Sequence, residues 1–268
     1  MQDDIQQKTI FKWLLGYLPA VLCISLIAIA SINFYSLYTA HSPRLSLEEW
    51  SCYGKMVSEE AWDESLYKLT KARKLNPWDA EIDFDLGRLY EWKALSGQAW
   101  NKAVKDSRNE SIKYFRSAVE KRPTWGLAWV NLAQSKLLNR VVDEELFNAL
   151  SNTIRYGRWQ QKIQEKYLWL SIGIWAKLPP SLQKEIFEHI EGILQRDAEL
   201  KQHAALSMLT SIAVRFNWFN QLEPRTFNQK QLDYIRYVKT SPEQKKQMLG
   251  GGAGGGGKPP QFICEVGI

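Results

Sequence analysis

From Trp13 to Ala40 the chain runs WLLGYLPAVLCISLIAIASINFYSLYTA without a charge. About 20 apolar residues cross a hydrocarbon core, so this stretch is long enough to span a bilayer and leave residues for both interfaces. Trp13 and Tyr17 at one end, and Phe34, Tyr35 and Tyr38 at the other, suit the two headgroup layers. Pro19 falls within the first turns, where a missing N–H does least harm. A cleaved signal peptide competes with this reading. The apolar run is too long for one, the preceding tail carries Asp3 and Asp4, and no small-x-small site follows. An uncleaved transmembrane helix is therefore expected over 13–40, behind a short tail, 1–12. Lys8 and Lys12 precede the run, while Arg44 after it is offset by Glu48 and Glu49. The positive-inside rule then places the tail in the cytoplasm and the rest outside, which in a bacterium is the periplasm, with the anchor in the inner membrane.

Roughly 230 residues follow the apolar run, enough for one sizeable core or a short helical array. With Asp3 and Asp4 balancing Lys8 and Lys12, the net charge of +6 resides beyond the membrane segment. Such a domain is drawn to anionic headgroups or an acidic polymer, including an acidic polysaccharide. No helix-turn-helix, zinc or RNA-binding signature appears, so nucleic acid is not an expected partner. Cys23 lies in the membrane segment. Cys52 and Cys264 are expected as free thiols, with a pair in an oxidising compartment as the alternative.

An internal repeat organises the chain beyond the membrane segment. Ser65, Leu69, Ala72 and Pro77 recur at identical spacing as Ser111, Phe115, Ala118 and Pro123. Each proline precedes a second pair at equal distance, Leu86-Gly87 and Leu132-Ala133, with Tyr90 after the first and Trp129 before the second. Small residues let helix backbones approach, large ones fill the gaps, and the prolines separate helices. The pattern resembles the tetratricopeptide repeat and implies an all-α array over 44–140. An earlier partial unit reads from Ser46 to Pro77, with Trp50, Tyr53 and Gly54 on its first helix and Ser46-Leu-Glu-Glu49 as a capping box. Pro77 and Pro123 are 46 residues apart, against the family's period of roughly 34. Longer helices or an inserted turn at Ser96-Gly97 would absorb the excess. The resemblance implies a groove lined by inner helices, mapping to Glu81, Phe84, Arg88, Glu91 and Trp92. These mixed charges and aromatics suit a polar peptide or loop. The lysine and asparagine set that clamps C-terminal carboxylates in some members is absent.

After Asn139 helical periodicity persists over 141–240 without the repeat signature. DEELFNALSNTIRYG is amphipathic and stops at Gly157. KIQEKYLWLSIGIWAKL reads as one apolar helix ended by Pro179-Pro180, and Ser181 to Arg196 as another. Further helices are expected from Glu199 to Phe216 and from Gln229 to Val238. Gly157-Arg-Trp159, Ile163-Gln164, Gly173-Ile-Trp175 and Leu178 resemble VpsP-type accessory proteins of bacterial polysaccharide biosynthesis, with Arg158 in place of that family's proline and Ile174 in place of its leucine. The resemblance covers about residues 10–220. It implies an auxiliary membrane protein beside polymerisation and export components, with no chemical step of its own.

Signals for chemistry are sparse. GGAGGGGKPP lacks the hydroxyl after Lys258 that a phosphate loop requires, and Pro259 and Pro260 remove amide donors. Residues 241–268 therefore read as a Gly-rich flexible tail. His41 sits at the membrane edge. Glu185 and His189 share a helix face, with His203 on the next helix, but the His-Glu-x-x-His spacing is missing. No serine elbow or Cys/His dyad appears. Glu59-Glu60 and Glu144-Glu145 read as first turns favoured by the helix dipole. The twelve tryptophans suggest sugar stacking, but filling helix cores explains them more simply, with Trp129, Trp169 and Trp175 as core and Trp92 and Trp100 as surface candidates. The expectation is a nonenzymatic scaffold without cofactors. A secretion or pilus anchor and a glycan-binding or glycan-processing protein are the alternatives.

Overall fold

The computed structural model describes residues 2–56, 58–97 and 101–199, with side chains from 16 to 193. Among these residues the regular structure is entirely helical, with no strand, as the patterning predicts. The helices are α1 (Gln2–Tyr53), α2 (Glu59–Leu75), α3 (Ala80–Ser96), α4 (Lys102–Lys121), α5 (Gly126–Leu138), α6 (Glu144–Gly157), α7 (Gln161–Gly173) and α8 (Pro180–Glu199). The Gly-rich tail, Trp100, His203, Cys264 and the helices expected beyond Glu199 lie outside the described residues.

Gly16–Tyr53 of α1 is long and apolar enough to cross a membrane. At 1.5 Å per residue the 52-residue helix extends about 78 Å, and it does not stop where the span does. The helix runs unbroken through 40–44, and the capping box expected at Ser46 does not form. The Ser46 hydroxyl instead donates back to the Ser42 carbonyl at 3.3 Å. Ala40, Leu47 and Trp50 recur on one stripe and are at most 1% exposed, so burial against α2 and α3 rewards continuing the helix. Ser36, within the predicted span, already donates to the Ala72 carbonyl of α2 at 2.9 Å. Helix α1 ends at Tyr53, so Gly54, expected on this helix, instead terminates it, and its φ of 65° suits a residue without Cβ.

Successive helices pack as antiparallel pairs, α1 with α2, α3 with α4 and α5 with α6, while α8 packs on α6. Four starts are capped by side chains: Ser58, Asp79, Asn101 and Asp143 accept from first-turn amides at 2.8–3.1 Å. The repeat residues meet as their spacing implies. A Cβ on Gly87 would stand 2.7 Å from the Phe115 ring, and Leu69, Ala72, Phe115 and Ala118 are fully buried. The long spacing between Pro77 and Pro123 is absorbed by extending α3 past Tyr90 to Ser96 and starting α4 at Lys102, nine residues before Ser111.

In the second half Gly157 ends α6 as expected, but the following helix is shorter than its periodicity suggests. Helix α7 stops at Gly173, and Trp175–Lys177 forms one 3-10 turn. Glycine is a poor helix interior residue, and Ile174 (φ −121°, ψ 19°) has left the helical region. Residues singled out in the VpsP-type resemblance meet at the α6–α7 turn. Ile163 packs on Gly157, and the Gln164 amide donates to the Arg158 carbonyl. Cys23 is a free, exposed thiol. Cys52 is disulfide-bonded, against the expectation of a thiol, because proximity of chain segments and not local spacing decides pairing.

Glu145 does more than favour a first turn. Arg116 donates to it at 2.5 and 2.9 Å, and the 2%-exposed Lys136 also donates to it and to Asp143. The Arg116 hydrogen bonds, against some burial and with help from Lys136, hold its carboxyl down at about 2. A lowered carboxyl contributes stability above its ordinary pKa and loses it as pH falls toward the folded value. Glu145→Gln is expected to cost about 1–2 kcal/mol at neutral pH after allowance for its partial exposure. The difference from wild type should vanish between about pH 4.5 and pH 2, as measured by denaturant titration of the full chain.

Candidate functional site

Polar groups connect α1, α3, α5 and α7 across one face. Arg44 of α1 donates from Nε to Asp85 of α3 at 2.8 Å and pairs with Glu81 at 3.3 Å. Arg88 of α3 reaches back to α1, donating to Glu48 at 2.7 Å, Ser51 Oγ at 3.2 Å and the Leu47 carbonyl at 3.3 Å. From α5, Ser135 donates to Glu91 of α3 at 2.5 Å, while Lys166 of α7 donates to Asn131 of α5. Arginine suits these positions because its planar fork serves several acceptors at once.

The five residues mapped from the sequence all belong to α3, but their environments differ. Glu81 bridges Arg44 and Arg122, at 3.3 and 3.5 Å. Phe84 is 6% exposed and packs between Phe115 and Trp125, with ring centroids 5.4 and 4.5 Å away. Arg88 occupies the centre of the α1–α3 contact. The half-buried Glu91 turns its carboxylate toward α5. Trp92 stands edge-on to the buried Trp50 at 6.4 Å and 80°, which fastens it to α1.

Burial shapes the electrostatics. It pushes the Asp85 carboxyl up against the opposing pull of Arg44 and Arg88. It pushes Glu91 up too, opposed by Lys166 and the Ser135 hydrogen bond. Burial lowers Lys166 to about 8, partly offset by Glu91. Carboxylates and a lysine withdrawn from water this far are costly to maintain unless paired. One donor on this face remains unspent: Arg44 Nη2 is buried without a hydrogen-bond partner. An incoming acceptor, such as a carboxylate or a peptide carbonyl, would satisfy it.

The sequence reading did not identify Arg44, Asp85, Asn131, Ser135 or Lys166 as members of this face. A charged residue at helical spacing within an apolar stripe is the local signal for Asp85, but its partner lies 41 residues away on α1. Elsewhere, Glu185 and His189 separate in their contacts. Glu185 accepts from Ser151 of α6 at 2.9 and 3.1 Å, while the buried His189 ring packs 5.4 Å from Tyr167 of α7. Among the described residues, no group of three or more His, Cys, Asp or Glu side chains is arranged to hold a metal ion. No protein-family model matches the chain, and no curated protein matches it.

Proposed function

We propose that this protein is a membrane-anchored, nonenzymatic adaptor whose tetratricopeptide-like array holds a partner protein at a bacterial inner membrane. The observation that carries this reading is the polar face across α1, α3, α5 and α7. It is built from buried charges, retains an unspent donor on Arg44, and extends from the same helix that provides the candidate span. A partner loop or peptide bearing acceptors is the complementary ligand. The disulfide at Cys52 supports an oxidising, periplasmic location. Polymerisation and export components of surface polysaccharide synthesis are the proposed partners, on the strength of the residues around Gly157 and Gly173 alone.

Photocrosslinking in cells tests this. A photoreactive residue is placed at Glu81 or Trp92, with Lys113 on outer helix α4 as control. A polysaccharide polymerisation or export protein should be captured from the first two positions and not from the third. Recovery of a secretion or pilus component instead would assign the anchor to another envelope machine. Identical products from all three positions would overturn the groove.

A further inference from the structure

We infer that the array edge formed by the α2–α3, α4–α5 and α6–α7 turns docks on the anionic lipid headgroups of the membrane that α1 crosses. The inference rests on the spanning reading of α1 and adds a second, peripheral membrane contact to it. Because α1 continues unbroken into the array, its contacts set the height of α2 and α3. Lys71 donates to the Tyr35 hydroxyl at 3.0 Å and Ser36 donates to the Ala72 carbonyl, so the last turn of α2 lies level with residues 35–36. A hydrocarbon core of about 30 Å takes about 20 helical residues. Counted from Trp13, where the uncharged run begins, it ends near residue 33, within one helical turn of that level.

The other two turns share this edge. Arg122, at the end of α4, pairs with Glu81 in the first turn of α3, and Glu81 pairs with Arg44. The end of α6 abuts the start of α5, where a Cβ on Gly126 would stand 2.7 Å from the Gly157 backbone. Exposed side chains on this edge are of the kind that headgroups attract. Trp78 is 83% exposed and Trp159 73% exposed, and tryptophan is enriched at membrane interfaces. Lys74, Arg122, Arg155 and Arg158 are exposed beside them, with the Arg158 guanidinium over the Trp159 ring at 5.5 Å. Acidic groups nearby are largely spent: Asp79 caps α3 and Glu81 is bridged twice, leaving Glu120 open. Basic residues near an anionic surface attract it over about a Debye length.

The test uses the full chain reconstituted in vesicles of phosphatidylcholine and phosphatidylglycerol, with or without acyl-chain bromination as a tryptophan quencher. The emission of wild type minus that of Trp78→Phe/Trp159→Phe isolates the two exposed tryptophans. This difference should fall about twofold or more in brominated vesicles, and the fall should shrink when Lys74→Glu and Arg158→Glu are introduced. A difference unaffected by bromination, in protein that resists alkaline carbonate extraction, overturns the docking and leaves the anchor standing. Extraction by carbonate overturns the spanning reading and the docking with it. Equal quenching in phosphatidylcholine alone, insensitive to the charge reversals, overturns recognition of anionic headgroups.

Discussion

Replacing Asp83 by alanine is expected to destabilise the array by about 3 kcal/mol, the lower end of the range for breaking a buried charge cluster. Asp83 is fully buried. Its carboxylate accepts from Arg73 Nε at 2.5 Å and from Ser117 and Lys121. Alanine leaves Lys121, whose side chain is 17% exposed, without its anion, whereas Arg73, at 42%, can turn to water. That difference in exposure sets the estimate at the lower end. The midpoint of thermal unfolding should fall by about 6–12 °C for a domain of this size, measured by circular dichroism of the full chain in nanodiscs. Asp83→Asn, which keeps shape and some hydrogen bonding, should fall less. An unchanged midpoint in both variants would show that the cluster contributes nothing net.

Asp83 stands three residues before Leu86, as Trp129 stands three before Leu132. One register position thus holds an anion in one unit and an indole in the next. Trp129 solves the position locally, donating from Nε1 to the Pro123 carbonyl at 2.7 Å. Asp83 solves it with donors from α2 and α4. Replacement of a large apolar residue by a charge is tolerated here because three donors surround it.

Gly126→Ala is the second large effect, again about 3 kcal/mol or more. A Cβ there would lie 2.7 Å from both the Cα and the nitrogen of Gly157. Backbone cannot rotate aside, so α5 and α6 must separate, loosening the buried Ala128, Leu150 and Ile154 beside the contact. At Gly87 the same intrusion meets the Phe115 ring, which can tilt, and the cost is expected to be smaller. Gly192 provides the control, because a Cβ there meets nothing within 4 Å. Gly192→Ala is expected to stabilise α8 by up to about 1 kcal/mol through helix propensity. Thermal midpoints of the three alanine variants should therefore rank Gly192, Gly87, Gly126 from highest to lowest. Any other order would contradict the packing described.

The long apolar helix, the helical class and the small-large spacing of the repeat were legible because each rests on local composition or on the 3.6-residue helical period. Leu69, Ala72, Phe115 and Ala118 could be placed in the core from spacing alone, and they are buried. Of the site, the α3 residues were legible as positions on a helix. Whether each faced a partner helix or solvent was not, as Phe84 against Phe115 and Trp125 shows. The capping box at Ser46 failed for a related reason. A cap motif and the middle of a long helix can share the same four residues, and burial of Leu47 and Trp50 chooses between them.

By itself the sequence determined that an apolar helix leads into helical pairs whose small residues admit close packing, since periodicity and side-chain volume are properties of neighbouring residues. Only the tertiary structure decided that the apolar segment and the first helical pair share one helix, that Asp83 is neutralised by Arg73 and Lys121, and that Arg44, Arg88, Glu91 and Lys166 form one face. The Arg44–Asp85, Arg88–Glu48 and Lys121–Asp83 contacts join residues about forty positions apart. Charge pairing over such a separation depends on where packed helices bring the chain, and no local pattern records it.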